Sequence, residues 1–281
     1  MELSMNIGYL RKQRGTDEKR DIIECAKICK DAGFCYLDFD VMNFVDDDNW
    51  ENFFNETNEK LKSMDLIVDQ THAPYVFSKY EPEHYKTLMQ RSFEASNILG
   101  AKNIVIHADK YVPDEKGFNF DKALNEIYNF YAPYVEYAKK SGLGVAIENL
   151  FEGDRTGPRT RFTSYVEEQK AIIEKFNDPL VTACWDFGHG NVSYGDDMLN
   201  AMKELGDLVT CTHVHDNIYR IDLHQNLFFG NTNWEDVIKY LKEMDYKGKF
   251  TFEMVYGCIP DALLSSYMKL FYDTGMYLLN L

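Results

Sequence analysis

The sequence predicts a single (β/α)8 barrel of the α/β class, one domain over residues 1–281. Three observations carry this. Strand-like runs alternate with amphipathic helical stretches eight times, the pattern of a parallel sheet covered by helices. No linker, low-complexity run or composition break divides the chain. The polar residues suited to chemistry cluster at the ends of the strand-like runs, where a parallel barrel keeps its active site. A doubly wound open sheet would call for a glycine-rich nucleotide loop after the first strand, and there is none.

In order, Met5–Leu10 reads as the first strand and 19–32 as a helix stopped by Gly33. Tyr36–Asp40 (YLDFD) is the second strand, followed by a helix near 48–64. Leu66–Pro74 (LIVDQTHAP) is the third, with His72 near its end. Helix 82–99 closes at Gly100, a helix-stop residue, before Asn103–Ala108 (NIVIHA) with His107. Helix 121–141 ends at Gly142, and Gly144–Leu150 (GVAIENL) carries Glu148. After a helix over about 163–176, Val181–His189 (VTACWDFGH) carries Asp186 and His189. A helix near 196–205 precedes the seventh strand, within the stretch 209–224, VTCTHVHDNIYRIDLH. Trp234–Met244 is a helix, Lys249–Tyr256 (KFTFEMVY) the eighth strand with Glu253, and 260–279 the last helix.

Composition narrows the function. Lys+Arg 30 against Asp+Glu 46 gives a net charge of −16, which repels phosphate backbones and anionic membranes and disfavours nucleic acid as a partner. No apolar run approaches the roughly 20 residues that span a bilayer, and the first residues carry no secretory pattern, so a cytoplasmic protein is expected. The six cysteines form no CxxC pair and fit reduced, buried thiols; Cys25 and Cys29, one helical turn apart, fit packing better than metal binding.

His213, His215, Asp222 and His224 offer four potential ligands in one short stretch of a chain with seven histidines. Their ordinary alternative is hydrogen-bonded core histidines beside a solvated loop. Six of the seven histidines, all but His84, lie at or just beyond a strand end. Strand alternation supplies a second check. It turns Val145, Ile147, Phe250, Phe252 and Met254 toward the helices, and Ala146, Glu148, Thr182, Cys184, Asp186, Cys211, His213, His215, Thr251 and Glu253 toward the barrel interior. Glu148, Asp186, His215 and Glu253 are thereby aimed at one mouth. Three buried carboxylates and an imidazole repel or desolvate one another unless a cation sits among them. Three oxygens and one nitrogen suit Mn²⁺, Mg²⁺, Co²⁺ or Zn²⁺.

With AIEN, DFGH, HVHDN followed by DLH, and FEM at its strand ends, the chain resembles the xylose-isomerase-like TIM-barrel superfamily over essentially its whole length. That group includes sugar-phosphate isomerases and epimerases, ketose 3-epimerases, inosose dehydratases and type IV apurinic endonucleases. The resemblance implies Glu148, Asp186, His215 and Glu253 as the metal quartet of the epimerase-type members and His189 as a substrate contact. It puts Arg220 near the place of a substrate-binding arginine, with His72 and His107 further substrate contacts. His72, His107, Glu148, Asp186, His189, His215, Asp222, His224 and Glu253 also resemble, in order, the ligand set of the trinuclear endonucleases, so more than one ion is open.

The activity this implies is metal-dependent isomerisation or epimerisation of a sugar, sugar phosphate or related polyol. A proton leaves and returns through an enediolate, with Glu148 and Glu253 as base and acid. A sugar or inosose dehydratase is the alternative, and a trinuclear zinc phosphodiesterase of the apurinic-endonuclease type the second. The partner expected is a small carbohydrate; a homo-oligomer is left open. Arg155, Arg159 and Arg161 could grip a substrate phosphate or salt-bridge to surface acids. Tyr75, Phe77, Tyr111, Trp185 and Phe187 could wall a sugar ring or pack the core. The acidic run Asp46–Asp48 reads as a solvated helix start.

Overall fold

A computed structural model describes residues 1–75, 81–108, 117–152, 159, 161–218, 221–255 and 259–281. Eight parallel strands form the frame: β1 (Leu3–Asn6), β2 (Tyr36–Asp40), β3 (Ile67–His72), β4 (Asn103–His107), β5 (Gly144–Glu148), β6 (Val181–Asp186), β7 (Val209–His213) and β10 (Phe250–Phe252). They pair in the order β10-β1-β2-β3-β4-β5-β6-β7. Val214 N donates to Thr251 O (2.8 Å) and Glu253 N to Val214 O (3.1 Å), drawing β7 and β10 together to nearly close a (β/α)8 barrel.

The helices are α1 (Ile22–Ala32), α2 (Trp50–Ser63), α3 (Pro82–Leu99), α4 (Phe120–Ser141), α5 (Val166–Phe176), α6 (Phe187–Tyr194), α7 (Met198–Leu205), α8 (Trp234–Glu243) and α9 (Asp261–Leu279). Their boundaries follow local chemistry. Asp21 Oδ1 accepts from Ile23 N (2.8 Å) and Glu24 N (3.3 Å) to start α1. Gly100 and Gly142, both at φ +73°, end α3 and α4 in the left-handed conformation that glycine adopts without a Cβ clash. Among the described residues, no helix is long and apolar enough to cross a membrane.

Alternation sorts the strand side chains as expected. Val145, Ile147, Phe250 and Phe252 join the large core between sheet and helices. Val105, Ala146, Cys184 and Cys211 form a separate small apolar layer inside the barrel. Cys25 and Cys29 pack into the outer core from α1.

Four boundaries differ from the sequence expectation. The first strand is Leu3–Asn6 rather than Met5–Leu10, because Tyr9–Arg11 turns into a short 3-10 helix. The sixth ends at Asp186, whose Oδ1 accepts from His189 N (2.7 Å), so Phe187 onward is α6 and His189 lies in its first turn. The stretch after His213 leaves the barrel as an antiparallel hairpin, β8 (Asp216–Ile218) and β9 (Ile221–Gln225), carrying Asp222 and His224 on its second strand. The last strand is short, and Glu253 follows it directly.

Candidate metal centre

Parallel register builds the site. His107 is level with Glu148, Asp186 with His213 and Asp40 with His72 on neighbouring strands, so each pair points into the mouth from one height. Glu148 stands at the centre, 1% exposed. Its Oε2 is 3.4 Å from His72 Nε2 and 3.0 Å from His107 Nε2. Its Oε1 is 3.2 Å from His189 Nδ1 and 3.3 Å from His213 Nδ1.

Among the described residues the side chains form five overlapping ligand groups; besides Asp38, His72 and His213, and His215, His224 and Glu253, three make up the centre. The first is His72, His107 and Glu148, with the two imidazole Nε2 atoms 3.0 Å apart. The second is Glu148, Asp186, His213 and Glu253, where His213 Nδ1 lies 3.9 Å from Asp186 Oδ2 and 3.4 Å from Glu253 Oε2. The third is His189, Asp222 and His224, whose Nε2 atoms lie 3.9 and 3.4 Å from Asp222 Oδ2. Donors bound tetrahedrally at about 2.0–2.1 Å stand about 3.3 Å apart, the spacing these groups approach.

The buried atoms also lack ordinary partners. Glu148 Oε2, His213 Nδ1, His215 Nδ1 and Asp222 Oδ1 make no hydrogen bond, whereas buried polar atoms are nearly always paired. The third group is oriented for ligation. His189 Nδ1 lies 2.9 Å from Asn149 O and His224 Nδ1 2.9 Å from Glu253 O; donation there leaves each Nε2 lone pair facing Asp222. His224 holds φ +49°, in the left-handed region that residues other than glycine adopt uncommonly. These residues fit divalent metal, by shape and by donor set.

The electrostatics agree. Burial pulls the His189 imidazole down, but Asp186, Glu148 and Asp222 outweigh it and push it up to about 10. Burial likewise opposes His224, which Asp222 and Glu253 raise to about 9. Burial would raise Glu148, yet His213 and His107 hold it well below the usual carboxylate range. Protons thus occupy, in the metal-free chain, positions that cations would fill.

Beside Glu148, Asp186 and Glu253 the structure sets His213, while His215, the imidazole expected in the quartet, groups with His224 and Glu253. His215 Nε2 meets Asp186 Oδ1 (3.1 Å) from the other side, and its ring stacks on His224 with centroids 3.8 Å apart. Both histidines share a strand face, but β7 ends at His213, and Val214 bridges to Phe252 before the chain turns away. Gly188 makes room: a Cβ there would fall 1.8 Å from His215 Cε1. His72, His107, His189, Asp222, His224, Asp186, Glu148 and Glu253 all come together; Arg220 lies outside the described residues.

Of the readings left open for the aromatic and arginine side chains, packing and pairing are the ones found. Trp185 and Phe187 are wholly buried in the core rather than facing a ligand. Arg159 pairs with Glu168 and Glu152, so its guanidinium is not free for a substrate, and Arg161 donates to Phe151 O (3.3 Å). Arg155, Phe77 and Tyr111 lie outside the described residues. Asp46 pairs with His84 (2.7 Å).

A cavity of about 200 Å³ opens beside this centre, lined by Tyr9, Lys12, Asp40, His72, Tyr75 and Glu253 among others. Tyr9 was not anticipated from sequence. Nor was Asp38, whose Oδ2 accepts from Asn6 Nδ2 (3.1 Å) and Gln70 Nε2 (3.2 Å) and lies 3.4 Å from His213 Nε2. Its signal was available, since Tyr36, Asp38 and Asp40 share one face of YLDFD.

A family model described as xylose isomerase-like TIM barrel matches residues 24–272. The chain belongs to this family. A probable endonuclease 4 of Staphylococcus aureus is 25% identical over 210 residues, covering 68% of this chain and 66% of that one. Two uncharacterised relatives, 22 and 23% identical, are spanned over only 51 and 54% of their length. Among solved structures, a D-tagatose 3-epimerase-like protein superposes with TM-score 0.75 at 16% identity, covering 100% of this chain and 98% of that one. The IOLI protein with a bound zinc atom gives TM-score 0.77 at 13% identity, covering 99% and 98%. At such identities the likeness shows the shared barrel.

Proposed function

We propose that this family member is a divalent-metal-dependent isomerase or epimerase of a sugar, sugar phosphate or related polyol. One observation carries it: Glu253, a member of the carboxylate quartet, also lines the small cavity walled by Tyr9 and Tyr75. That cavity suits a small hydroxylated molecule with an aromatic flank, and the epimerase-like structural neighbour supports the choice.

Glu148, Asp186, His213 and Glu253 would hold the ion, with His72 and His107 or His189, Asp222 and His224 able to hold others. A bound divalent ion supplies Lewis acidity that lowers the cost of an enediolate. Glu253, facing the cavity, takes the proton from the carbon next to the substrate carbonyl. Glu148 and Glu253 lie 3.3 and 3.4 Å from His213 Nδ1, and in this reading Glu148, the second glutamate of the quartet, returns the proton. Glu253 lines the cavity and Glu148 does not, which assigns the first abstraction to Glu253. His72 contacts the substrate from the cavity wall, and His107 and His189 fix Glu148 from behind.

The test is C–H exchange followed by NMR in D₂O, with manganese-loaded and EDTA-stripped protein and a panel of ketoses, inososes and sugar phosphates. Metal-dependent deuterium uptake beside a carbonyl, lost in a folded Glu253→Gln variant, is the expected result. A product lighter by one water would instead identify a dehydratase. No exchange on any panel member overturns the proposal.

A second reading rests on the two ligand groups that share Glu148, on the neighbouring group of His189, Asp222 and His224, and on the endonuclease 4 relative. A trinuclear zinc phosphodiesterase would cleave abasic DNA, and the net charge of −16 weighs against it.

A further inference from the structure

A second cavity, about 280 Å³, adjoins the first and shares Gly8, Lys12 and Asn43 with it. Its wall carries Arg11, Lys12 and Lys19. Arg11 is half-buried, with its guanidinium parked 4.3 Å over the Phe44 ring and its buried Nε making no hydrogen bond. Lys12 and Lys19 face each other across an isolated antiparallel bridge, an arrangement in which like charges destabilise unless an anion lies between them. The loop base is fixed by Arg20 N donating to Arg11 O (2.7 Å) and by the ion pair of Arg20 with Asp261 (2.8 Å).

Among the described residues none of these three cations forms an ion pair, although acids outnumber bases 46 to 30. Asp17 and Glu18 line the same cavity and pair with none of them. Unpaired cations gathered on one cavity in an acidic protein need a physical reason, and an oxyanion ligand supplies one: Arg grips it bidentately, with Lys as point charges beside it.

We propose that Arg11, Lys12 and Lys19 form an oxyanion subsite next to the cavity at Glu253, so that the substrate is a sugar or polyol bearing a phosphate or carboxylate. This rests on the isomerase reading for the reacting end of the molecule, and Arg159, already paired with Glu168 and Glu152, is not free to take the role.

The probes are glycerol 3-phosphate, glycerate and glycerol, titrated calorimetrically into the manganese-loaded full chain and into Lys12→Gln, Lys19→Gln and Arg11→Gln. The two lysines are exposed, so their variants keep the fold if Arg11→Gln does not. Expected is binding of an anionic probe but not of glycerol, weakened about tenfold by Lys12→Gln or Arg11→Gln and less by Lys19→Gln. Preference between the two anions identifies phosphate or carboxylate. Equal binding of glycerol, or anion binding that ignores all three substitutions because the metal holds it, overturns the subsite. The two proposals fail separately. Absence of C–H exchange on every panel member would remove the isomerase while the binding result stands. Exchange on neutral ketoses with no anion binding would remove only the subsite.

Discussion

Replacing Asp38 by Asn should weaken metal binding without weakening the metal-free fold. Asp38 is fully buried one layer below the carboxylate quartet, in register with Asn6 on β1 and Gln70 on β3. Asn6 and Gln70 donate to its Oδ2, and His213 Nε2 lies 3.4 Å from the same atom while His213 Nδ1 faces Glu148 and Glu253. Nε2 makes no hydrogen bond to Asp38, so it is the nearby negative charge that favours a proton on Nε2 and leaves Nδ1 toward the metal ligands. Loss of such a partner costs about 10–100-fold in metal affinity, or about 1.4–2.7 kcal/mol. A separation of 3.4 Å is beyond an ideal N–H···O bond, which favours the lower end, about 10–30-fold. An Asn carbonyl still accepts from Asn6 and Gln70, and losing the charge relieves repulsion on Asp40, which burial first and then Asp38 and Glu253 raise to about 7. Metal-free stability is therefore expected to hold or rise. Competition with a chelating dye for manganese or zinc, together with thermal melts with and without metal, reads both quantities. Affinity within twofold of the parent, or a fall in metal-free melting temperature matching the fall in affinity, would refute the positioning role.

Two further outcomes follow from the same geometry. In the metal-free chain His189 and His224 have pKa values raised from 6.5 to about 10 and about 9. Their pairing with carboxylates stabilises the fold fully below the unfolded value and is lost as pH rises through the folded ones. The metal-free melting temperature should fall between about pH 6.5 and 10, while metal, which displaces those protons, binds more tightly across the same rise; melts and metal titrations at stepped pH check both signs. Gly188→Ala would place a Cβ 1.8 Å from His215 Cε1 and push the ring off Asp186 and His224. Overpacking of this kind costs about 1–3 kcal/mol, so chemical denaturation should show that loss and elemental analysis fewer ions per chain; parent-like values in both would contradict the placement of His215.

Local pattern carried the frame of this molecule. The period-two alternation in GVAIENL and KFTF separates the side chains that pack under the helices from those inside the barrel. Gly100 and Gly142 mark helix ends because a left-handed residue there tolerates no Cβ clash, and that requirement is legible in the residue itself. Periodicity also brought His72, His107, Glu148, Asp186 and Glu253 to strand ends, where a parallel barrel exposes them together.

Periodicity could not choose between His213 and His215, which share a face by construction. That choice was made by closure: Val214 bonds across to β10, the strand stops at His213, and His215 is carried toward α6 against the bare backbone of Gly188. The hairpin returning Asp222 and His224 over the mouth, and the register that sets Asn6, Asp38 and Gln70 side by side beneath His213, likewise join residues far apart in sequence. A strand's own residues dictate which face each side chain takes. Which side chains from different strands share one point depends on register and closure, and those are fixed only when the whole sheet assembles.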